Sequence, residues 1–345
     1  MNLRHRLTLL ITLGLAHGVS DGSAGLLLGS LTHTLPLAEV GALVLLYNGL
    51  AFGGQPVVGL ITDRVQRPRA ASLIGLLLMC AALLLARWPW AAVSLAGLGS
   101  AAFHVGGGAL SLCATRAGAT GPGFFAAPGV LGLALGGALA AAGHIVVWPF
   151  LLLLVGLGIA VLVQPLPALS YTTEVSEPLL ENHDLIMIAL LTAIALRSAV
   201  WSTFQFVLAG NLPALLALAI AAAIGKILGG VLADRVGWRR WTVGALLVSA
   251  PLLAIGSHRF ELLLVGVTLL QSATPVALAM TAQLLPRQPA TASGLVLGLA
   301  IALGAAPLIG DMGAVMSAPI SLAVITLLAA LAFWLAGPRL RVAPT

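Results

Sequence analysis

Charged residues are scarce in this chain. They make up 8% of its 345 residues, whereas a soluble domain carries about a quarter. Hydrophobic residues make up 60% of the chain, and the mean hydropathy is +1.10. A water-soluble fold of this size could not bury so much apolar surface. The composition therefore excludes an ordinary soluble enzyme and a disordered chain, and it predicts a polytopic membrane protein.

Cysteine is almost absent, with Cys80 and Cys113 both in apolar runs. This excludes a disulfide scaffold, and both residues are interpreted as small core residues rather than as metal ligands. His-Glu-x-x-His, Gly-x-Ser-x-Gly and Cys-x-x-Cys do not occur. Gly225-Lys226 lacks the flanking residues of a phosphate-binding loop. We therefore expect no enzyme activity, no cofactor, no metal site and no ATP-driven step within this chain.

Long apolar runs dominate what is present. A bilayer core needs about 20 apolar residues per helix, and the sequence predicts twelve such spans: 7–31, 38–61, 70–86, 90–115, 120–143, 145–163, 185–209, 212–233, 240–257, 261–285, 290–314 and 317–337. The apolar run after Met1–Arg6 resembles a signal peptide. We expect it to be retained, because it continues through Leu31 and belongs to the repeat described below.

The net charge of +6 and the pI of about 10.6 suggest two explanations, nucleic-acid binding or basic loops beside membrane helices. Arginine placement favours the second. With a cytoplasmic N-terminus, only Arg87 and Arg259 fall outside, and these fall inside: Arg4, Arg6, Arg64, Arg67, Arg69, Arg116, Arg235, Arg239, Arg240, Arg287, Arg339 and Arg341. This positive-inside bias predicts that both termini are cytoplasmic and that no nucleic acid is bound.

An internal repeat divides the chain. Gly59-Leu-Ile-Thr-Asp63-Arg64 recurs as Gly230-Val-Leu-Ala-Asp234-Arg235, an offset of 171 residues (234 − 63). We predict a six-helix half at 1–163, an acidic, proline-rich cytoplasmic linker at 164–184 and a second six-helix half at 185–345. Two parallel halves related by an axis along the membrane normal form a transporter architecture.

The loop after the second helix of each half resembles the signature Gly-x-x-x-Asp-Arg-x-Gly-x-Arg-Arg of the major facilitator superfamily. The second copy carries the pattern in full: Gly230, Asp234, Arg235, Gly237, Arg239 and Arg240. The first copy has Gln66 in place of a glycine and Pro68 before Arg69. The resemblance implies an all-α fold of twelve transmembrane helices, with alternating access between the halves.

The resemblance also implies that these loops act as cytoplasmic latches, formed by Gly59, Asp63, Arg64 and Arg69 and by their counterparts in the second copy. Asp63 and Asp234 are expected at helix C-termini, where a carboxylate is unfavourable. We expect neighbouring arginines to compensate this charge through pairs that break when the halves move. The alternative is that these arginines only set the topology.

A narrower resemblance concerns the first and fourth helices. His17-Gly-Val-Ser-Asp21 is similar to the His-x-x-x-Asp opening of fosmidomycin-resistance-type transporters, and Phe103-His104 is similar to their Phe-His element. Gly294-x-x-x-Gly298 and Gly310-Asp311-Met-Gly313 also match in style. The usual proline after the histidine is replaced by Val105. The resemblance implies a drug/proton antiporter.

Asp21 and His17 are candidates for proton coupling. They lie four residues apart in the first span and therefore share one helix face. A charge inside the bilayer is costly, so such residues usually line a cavity or have a partner. An imidazole titrates near neutrality, which makes the pair suitable for proton exchange. The alternative is a neutral aspartic acid hydrogen-bonded to the next helix.

Arg197 lies near the middle of the seventh span. It keeps its charge and needs an anion, for which we consider both Asp21 and the substrate. Trp201 and Gln205 follow at i+4 and i+8 and are predicted to share its cavity-facing stripe. A structural ion pair is the alternative.

Four further polar residues are open to two interpretations. His104 and Gln271 are predicted to bind substrate, although a lone intramembrane histidine is often structural. Lys226 could extend to the membrane interface, and Asp311 could cap or gate the eleventh helix.

We therefore predict a monomeric, multi-pass inner (plasma) membrane protein whose partners are a small-molecule substrate, protons and lipid. The leading hypothesis is a proton-coupled exporter of a small anionic or zwitterionic organic compound. Alternatives are an importer or facilitator on the same fold, a non-transporting receptor or assembly factor, and an intramembrane enzyme.

Overall fold

The computed structural model describes residues 2–116, 118–166, 183–256, 259–306 and 312–337. Within these ranges the regular structure is entirely helical. Twelve helical segments follow one another and are numbered α1 to α12: Leu3–Leu31, Leu37–Val65, Pro68–Leu84, Pro89–Ala114, Thr120–Ala141, Trp148–Val163, His183–Val207, Leu212–Val236, Trp238–Gly256, Phe260–Leu284, Pro289–Ala305 and Pro319–Ala336. A single helical turn, Gly313–Ser317, precedes α12.

The apolar runs of the sequence account for these helices. Within the described residues, seven helices are long and apolar enough to cross a membrane, namely α2, α4, α5, α7, α8, α10 and α12. The helices α3, α6 and α11 are shorter apolar segments, and α1 and α9 complete the set. Each of the twelve overlaps one predicted span, which confirms the all-α class and the number of helices.

Proline lies in the first turn of several helices. Pro68, Pro289 and Pro319 occupy the first turns of α3, α11 and α12. Proline suits this position because its missing N–H would have no intrahelical partner there.

Three helices contain irregular features. A π-helical turn occupies Gly49–Gly53 in α2 and another occupies Leu295–Leu299 in α11. Pro128 lies inside α5, where it removes one backbone donor. The described part of α11 ends at Ala305. Gly310 and Asp311 lie outside the described residues, and so does most of the linker predicted at 164–184.

The contacts divide the described chain into two compact units. The first comprises the described residues of Met1–Ala114, Phe124–Leu169 and Gln288–Leu299, and the second those of Thr115–Gly123, Ser170–Arg287 and Ala300–Thr345. Each unit thus includes one short segment from the opposite half of the sequence, 288–299 or 115–123. The domain boundaries predicted from the sequence stay a prediction.

Glycine brings helices close together inside each unit. In the first unit, a Cβ on Gly132 or Gly136 of α5 would overlap the carbonyl oxygens of Gly18 and Gly22 on α1. In the second unit, Gly225 of α8 faces the backbone of α10 in the same way. The close approach of α1 to α5 places His17 beside the middle of α5.

Candidate functional site

Three ionisable side chains meet inside the first unit, and we call His17, Asp21 and His104 the buried triad. His17 Nε2 lies 3.2 Å from Asp21 Oδ2 and 2.9 Å from His104 Nε2. His104 Nε2 lies 3.9 Å from the same carboxylate oxygen. His17 is 4% exposed and His104 is 6% exposed. The predicted His17–Asp21 pair is therefore present, and His104 joins it rather than standing alone.

Backbone carbonyls fix the other nitrogen of each ring. His17 Nδ1 lies 2.8 Å from the carbonyl oxygen of Phe125, and His104 Nδ1 lies 2.8 Å from that of Ser100. A carbonyl oxygen only accepts hydrogen bonds, so each Nδ1 carries the proton that it donates. In the neutral rings, the two Nε2 atoms that face each other therefore carry no proton.

The sequence of α5 makes room for the His17 ring. A Cβ on Gly129 would overlap that ring, so only glycine fits at this position. The Phe125 ring stacks on the His17 ring, with centroids 4.5 Å apart and an interplanar angle of 27°. Phe125 and Gly129 thus form the wall against which His17 is held.

Tyr47 and Ser100 extend the cluster. The Tyr47 side chain lies near that of Ser100, and the Ser100 hydroxyl lies 3.2 Å from His104 Nδ1. Tyr47 is 5% exposed. Ser100 of α4 thus adds a hydroxyl group to the triad, with the buried Tyr47 of α2 beside it.

Two imidazoles and a carboxylate could in principle hold a metal ion, and their ligand atoms lie within 4.8 Å of one another. The spacing in this structure is that of a hydrogen-bonded group. Two nitrogens bound to one tetrahedral zinc at about 2.0–2.1 Å would be about 3.3 Å apart, whereas His17 Nε2 and His104 Nε2 are 2.9 Å apart. That separation is a hydrogen-bond distance.

A second buried cluster surrounds Arg197 on α7 in the second unit. Arg197 is 2% exposed. Its Nη1 donates to Gln271 Oε1 at 2.8 Å and its Nη2 donates to Ser198 Oγ at 2.9 Å. Thr274 Oγ1 also donates to Gln271 Oε1, at 3.2 Å. The hydrogen-bond partners of this buried guanidinium among the described residues are thus neutral.

The charge of Arg197 is not compensated within the described part of the chain. None of the ion pairs found there includes Arg197, and its Nε–H has no hydrogen-bond partner there. Asp21 is instead paired with the two histidines. Whether Asp21 or the substrate supplies the anion for Arg197 stays a prediction.

The cavity-facing stripe expected on α7 stays a prediction. Trp201 is half-buried, whereas Gln205 is exposed near the C-terminal end of the helix. The described contacts of Arg197 include neither residue. Gln271, by contrast, is brought onto Arg197 as a direct partner.

Asp63 and Asp234 each close onto the start of another helix, and we call these contacts the two aspartate clamps. Asp63 accepts from the backbone N–H groups of Ala290 and Thr291 at 3.1 and 2.7 Å, and from the Thr291 hydroxyl at 2.7 Å. A carboxylate facing the first turn of a helix is stabilised by its unpaired N–H groups and by the helix dipole.

The second clamp repeats this arrangement. Asp234 accepts from the N–H groups of Ala119 and Thr120 at 2.9 and 2.8 Å, and from the Thr120 hydroxyl at 2.6 Å. Trp238 Nε1 donates to it at 2.7 Å. The clamped residues Ala290 and Thr291 lie 171 positions after Ala119 and Thr120 (290 − 119). The internal repeat therefore includes both sides of each clamp.

Gly59 and Gly230 allow the clamps to close. A Cβ on Gly59 would lie 2.7 Å from the carbonyl oxygen of Ala290, and a Cβ on Gly230 would lie 2.6 Å from that of Ala119. Both distances are too short for a methylene group. One turn before each aspartate, glycine therefore lets the clamped segment approach.

The prediction that arginines pair with Asp63 and Asp234 was wrong. Among the described residues, no ion pair joins Asp63 or Asp234 to an arginine. The arginines expected there lie elsewhere: Arg64, Arg235 and Arg240 are exposed, Arg69 donates to the carbonyl oxygen of Gln164, and Arg239 lies over the Trp334 ring. Helix N-termini supply the positive partner instead.

Substitution of Asp63 by asparagine is expected to destabilise the fold by about 1–3 kcal/mol, because buried donors lose their charged acceptor. A lowered melting temperature would measure the loss. Hydrogen–deuterium exchange should rise in 288–299 for Asp63→Asn and in 118–123 for Asp234→Asn. Arg64→Ala, a matched change at an exposed neighbour, should alter neither. Unchanged exchange in both segments would contradict the clamps.

The roles of Lys226 and Asp311 stay predictions. Lys226 is half-buried on α8, which agrees with either a site role or an interfacial one. Asp311 lies outside the described residues.

Comparison with solved structures decides the fold. FucP of Escherichia coli, described as a major facilitator superfamily transporter in its outward conformation, superposes with a TM-score of 0.73 at 14% identity, covering 95% of this chain and 96% of FucP. The human organic anion transporter MFSD10 (TETRAN) gives a TM-score of 0.70 at 16% identity, covering 97% and 99%. This chain has the major facilitator fold.

Sequence comparison adds a short match to a protein that is also described as a transporter of the major facilitator type. The chain is 41% identical over 88 residues to YfnC of Bacillus subtilis, an uncharacterised transporter of the major facilitator type. The match covers 24% of this chain and 22% of YfnC, so it spans about a fifth of that relative. No model of a protein family matches the sequence. The major facilitator fold thus rests on the twelve helices and their three-dimensional arrangement.

Proposed function

We propose that the protein is a proton-coupled secondary transporter that exports a small anionic or zwitterionic organic compound by alternating access. It would lie in the inner (plasma) membrane with both termini in the cytoplasm, as the arginine distribution favours. The observation that carries the coupling is the buried triad, and the observation that carries the substrate class is Arg197.

The hydrogen bonds of the triad support an exchangeable proton. With both Nδ1 atoms donating to carbonyls, two neutral rings would point lone pairs at each other across 2.9 Å. One added proton converts this repulsion into an N–H···N hydrogen bond, and Asp21 at 3.2 Å balances its charge. Loss of that proton removes the bond that joins α1 to α4, so proton transfer and helix movement are linked.

The environment of Arg197 supports an anionic substrate group. A buried guanidinium without a carboxylate leaves charge that neutral amide and hydroxyl groups do not cancel. The side of the guanidinium that carries Nε–H has a donor without a partner among the described residues. A carboxylate-like group could accept two parallel hydrogen bonds there, the geometry that arginine favours.

The clamps support a latch function with a corrected mechanism. Each aspartate ties its helix to a segment from the opposite half of the sequence, Asp63 to Ala290 and Asp234 to Ala119. Breaking such a contact exposes backbone N–H groups that water can satisfy. We propose that the clamps close in one access state and open in the other.

Two proteins of known structure with this fold agree with the proposal in kind. FucP is described as a fucose:proton symporter and MFSD10 as an organic anion transporter, so the fold accommodates both protons and organic anions. We further propose membership of the fosmidomycin-resistance-type group, since His17, Asp21 and His104, which carry that resemblance, form one contact cluster.

The experiment is a solute flux measurement on purified protein in liposomes. A compound is first chosen by its thermal stabilisation of the protein across a diverse panel at two pH values, since a ligand of the folded state raises stability. Liposomes are then loaded with that compound. An acidic exterior should accelerate efflux, because protons entering would drive substrate out.

The sign of the pH effect separates the alternatives. Accumulation inside under the same gradient would mean symport and therefore import, and a flux that ignores the gradient would mean a facilitator. Counterflow without any response to pH would have the same meaning. An absence of flux across the panel, together with a stoichiometric protein partner, would replace transport by the receptor function.

A further inference from the structure

A cavity in the second unit contains two arginines that the latch does not use. Its volume is about 680 Å³, and it lies between the start of α9 and the end of α12. Arg239 and Arg240 line it together with Trp334. These arginines belong to the repeated loop motif, yet Asp234 is occupied by backbone, hydroxyl and indole donors instead.

Among the described residues, no carboxylate pairs with the arginines of this cavity. None of the ion pairs in the described ranges involves Arg239 or Arg240. The Arg239 guanidinium carbon lies 4.9 Å from the centroid of the Trp334 ring, a cation–π contact that orients the guanidinium but leaves its charge uncompensated. Such a cavity attracts an anion.

The rest of the wall is apolar. Val236, Val243 and Met280 contribute hydrocarbon, and Gly244 leaves open space where a side chain would stand. A ligand that satisfies both surfaces needs an anionic group and a hydrocarbon body. Tryptophan and arginine at helix ends are also typical of the membrane interface, where phospholipid headgroups lie.

We propose that this cavity binds an anionic phospholipid, with the phosphate between Arg239 and Arg240 and the adjacent chain region against Val243 and Met280. Basic cavities between helices on the cytoplasmic side attract anionic headgroups, and the sequence predicts that side for both arginines. The inference does not depend on the transported substrate or on proton coupling, and either can fail without the other.

Native mass spectrometry of the purified full-length protein tests the site. The probes are dioleoylphosphatidylglycerol, dioleoylphosphatidylcholine and glycerophosphoglycerol, which is the anionic headgroup without chains. We expect the anionic lipid to bind about tenfold or more tightly than the zwitterionic one. We expect the headgroup alone to compete poorly, and high salt to weaken the preference by screening.

Three variants locate the binding. Arg239→Ala/Arg240→Ala should remove the preference, whereas the matched pair Arg67→Ala/Arg287→Ala, which removes two exposed arginines outside the cavity, should retain it. Gly244→Leu fills the cavity and keeps both charges, so it should weaken anionic lipid binding even where the double variant folds poorly.

Four results would overturn the proposal. Equal binding of both lipids would remove the role of charge, and equal competition by glycerophosphoglycerol would identify a soluble anion. Equal loss in Arg67→Ala/Arg287→Ala would indicate nonspecific attraction to basic loops. Unchanged binding in Gly244→Leu would place the lipid elsewhere.

Discussion

The Asp21→Asn protein is expected to lose proton-driven accumulation of its substrate while it keeps exchange across liposomes of equal pH. In the proposed mechanism His17 and His104 share a proton whose charge Asp21 balances, and asparagine cannot supply that balance. Coupling to one proton across one pH unit supplies about 1.4 kcal/mol, or about tenfold accumulation. We expect the ratio to fall from about ten to about one.

The chain offers a matched control for this change. His183 Nδ1 and Asp184 Oδ1 are also 3.2 Å apart, but the Asp184 side chain is 98% exposed. Asp184→Asn should leave accumulation and exchange unchanged, since solvent already stabilises both groups. Full accumulation by Asp21→Asn would reject the triad as the coupling site, and loss of exchange as well would indicate a structural role.

The Gln271→Glu protein is expected to fold normally and to bind its substrate about 100-fold more weakly. Gln271 Oε1 already accepts from Arg197 at 2.8 Å, so glutamate of nearly the same shape would place a carboxylate against the guanidinium. Interactions of a buried, hydrogen-bonded charge are worth about 2–5 kcal/mol, and a 100-fold change corresponds to about 2.8 kcal/mol. Ligand-induced thermal stabilisation would measure the affinity.

Arg197→Lys provides the comparison. Lysine keeps the positive charge but loses the planar set of donors, so binding should weaken without a gain in stability. The two variants separate charge from shape. Normal substrate affinity in Gln271→Glu would mean that Arg197 has a structural role, and the anionic substrate class would be withdrawn.

The helices were predictable because membrane insertion is a local property of sequence. Each span needs enough apolar residues to cross the bilayer, and that requirement acts on neighbouring residues only. Prolines at helix starts and short connections could also be predicted, because they too depend on residues close together in the sequence. The π-helical turns in α2 and α11 were missed, since an apolar run of ordinary hydropathy encodes them.

The triad was predictable in part. His17 and Asp21 lie on one helix, and their spacing of four residues reveals the contact. His104 was predicted to bind substrate. Its contact with His17 depends on how α1 packs against α4, and the spacing of residues in the sequence does not reveal that. Gly129 was the available signal, since a glycine after Pro128 in a membrane helix marks a close approach, but its partner could not be known.

The aspartate clamps show the same limit. The offset of 171 residues relates Asp63 to Asp234, and it equally relates Ala119 to Ala290. The sequence of either loop does not indicate that the carboxylate accepts hydrogen bonds from backbone N–H groups of a distant helix instead of from adjacent arginines. A helix N-terminus offers several fixed donors at once, whereas an exposed arginine is stabilised by water.

The sequence by itself determined the membrane class, the twelve spans, the repeat and the isolated charges inside the spans, because each depends on residues close together in the chain. Only the tertiary structure decided which buried groups meet: His104 with His17, Gln271 with Arg197, and each clamp aspartate with its helix start. Those contacts depend on how closely helices approach, and that distance is set by glycine surfaces whose partners lie far away in sequence.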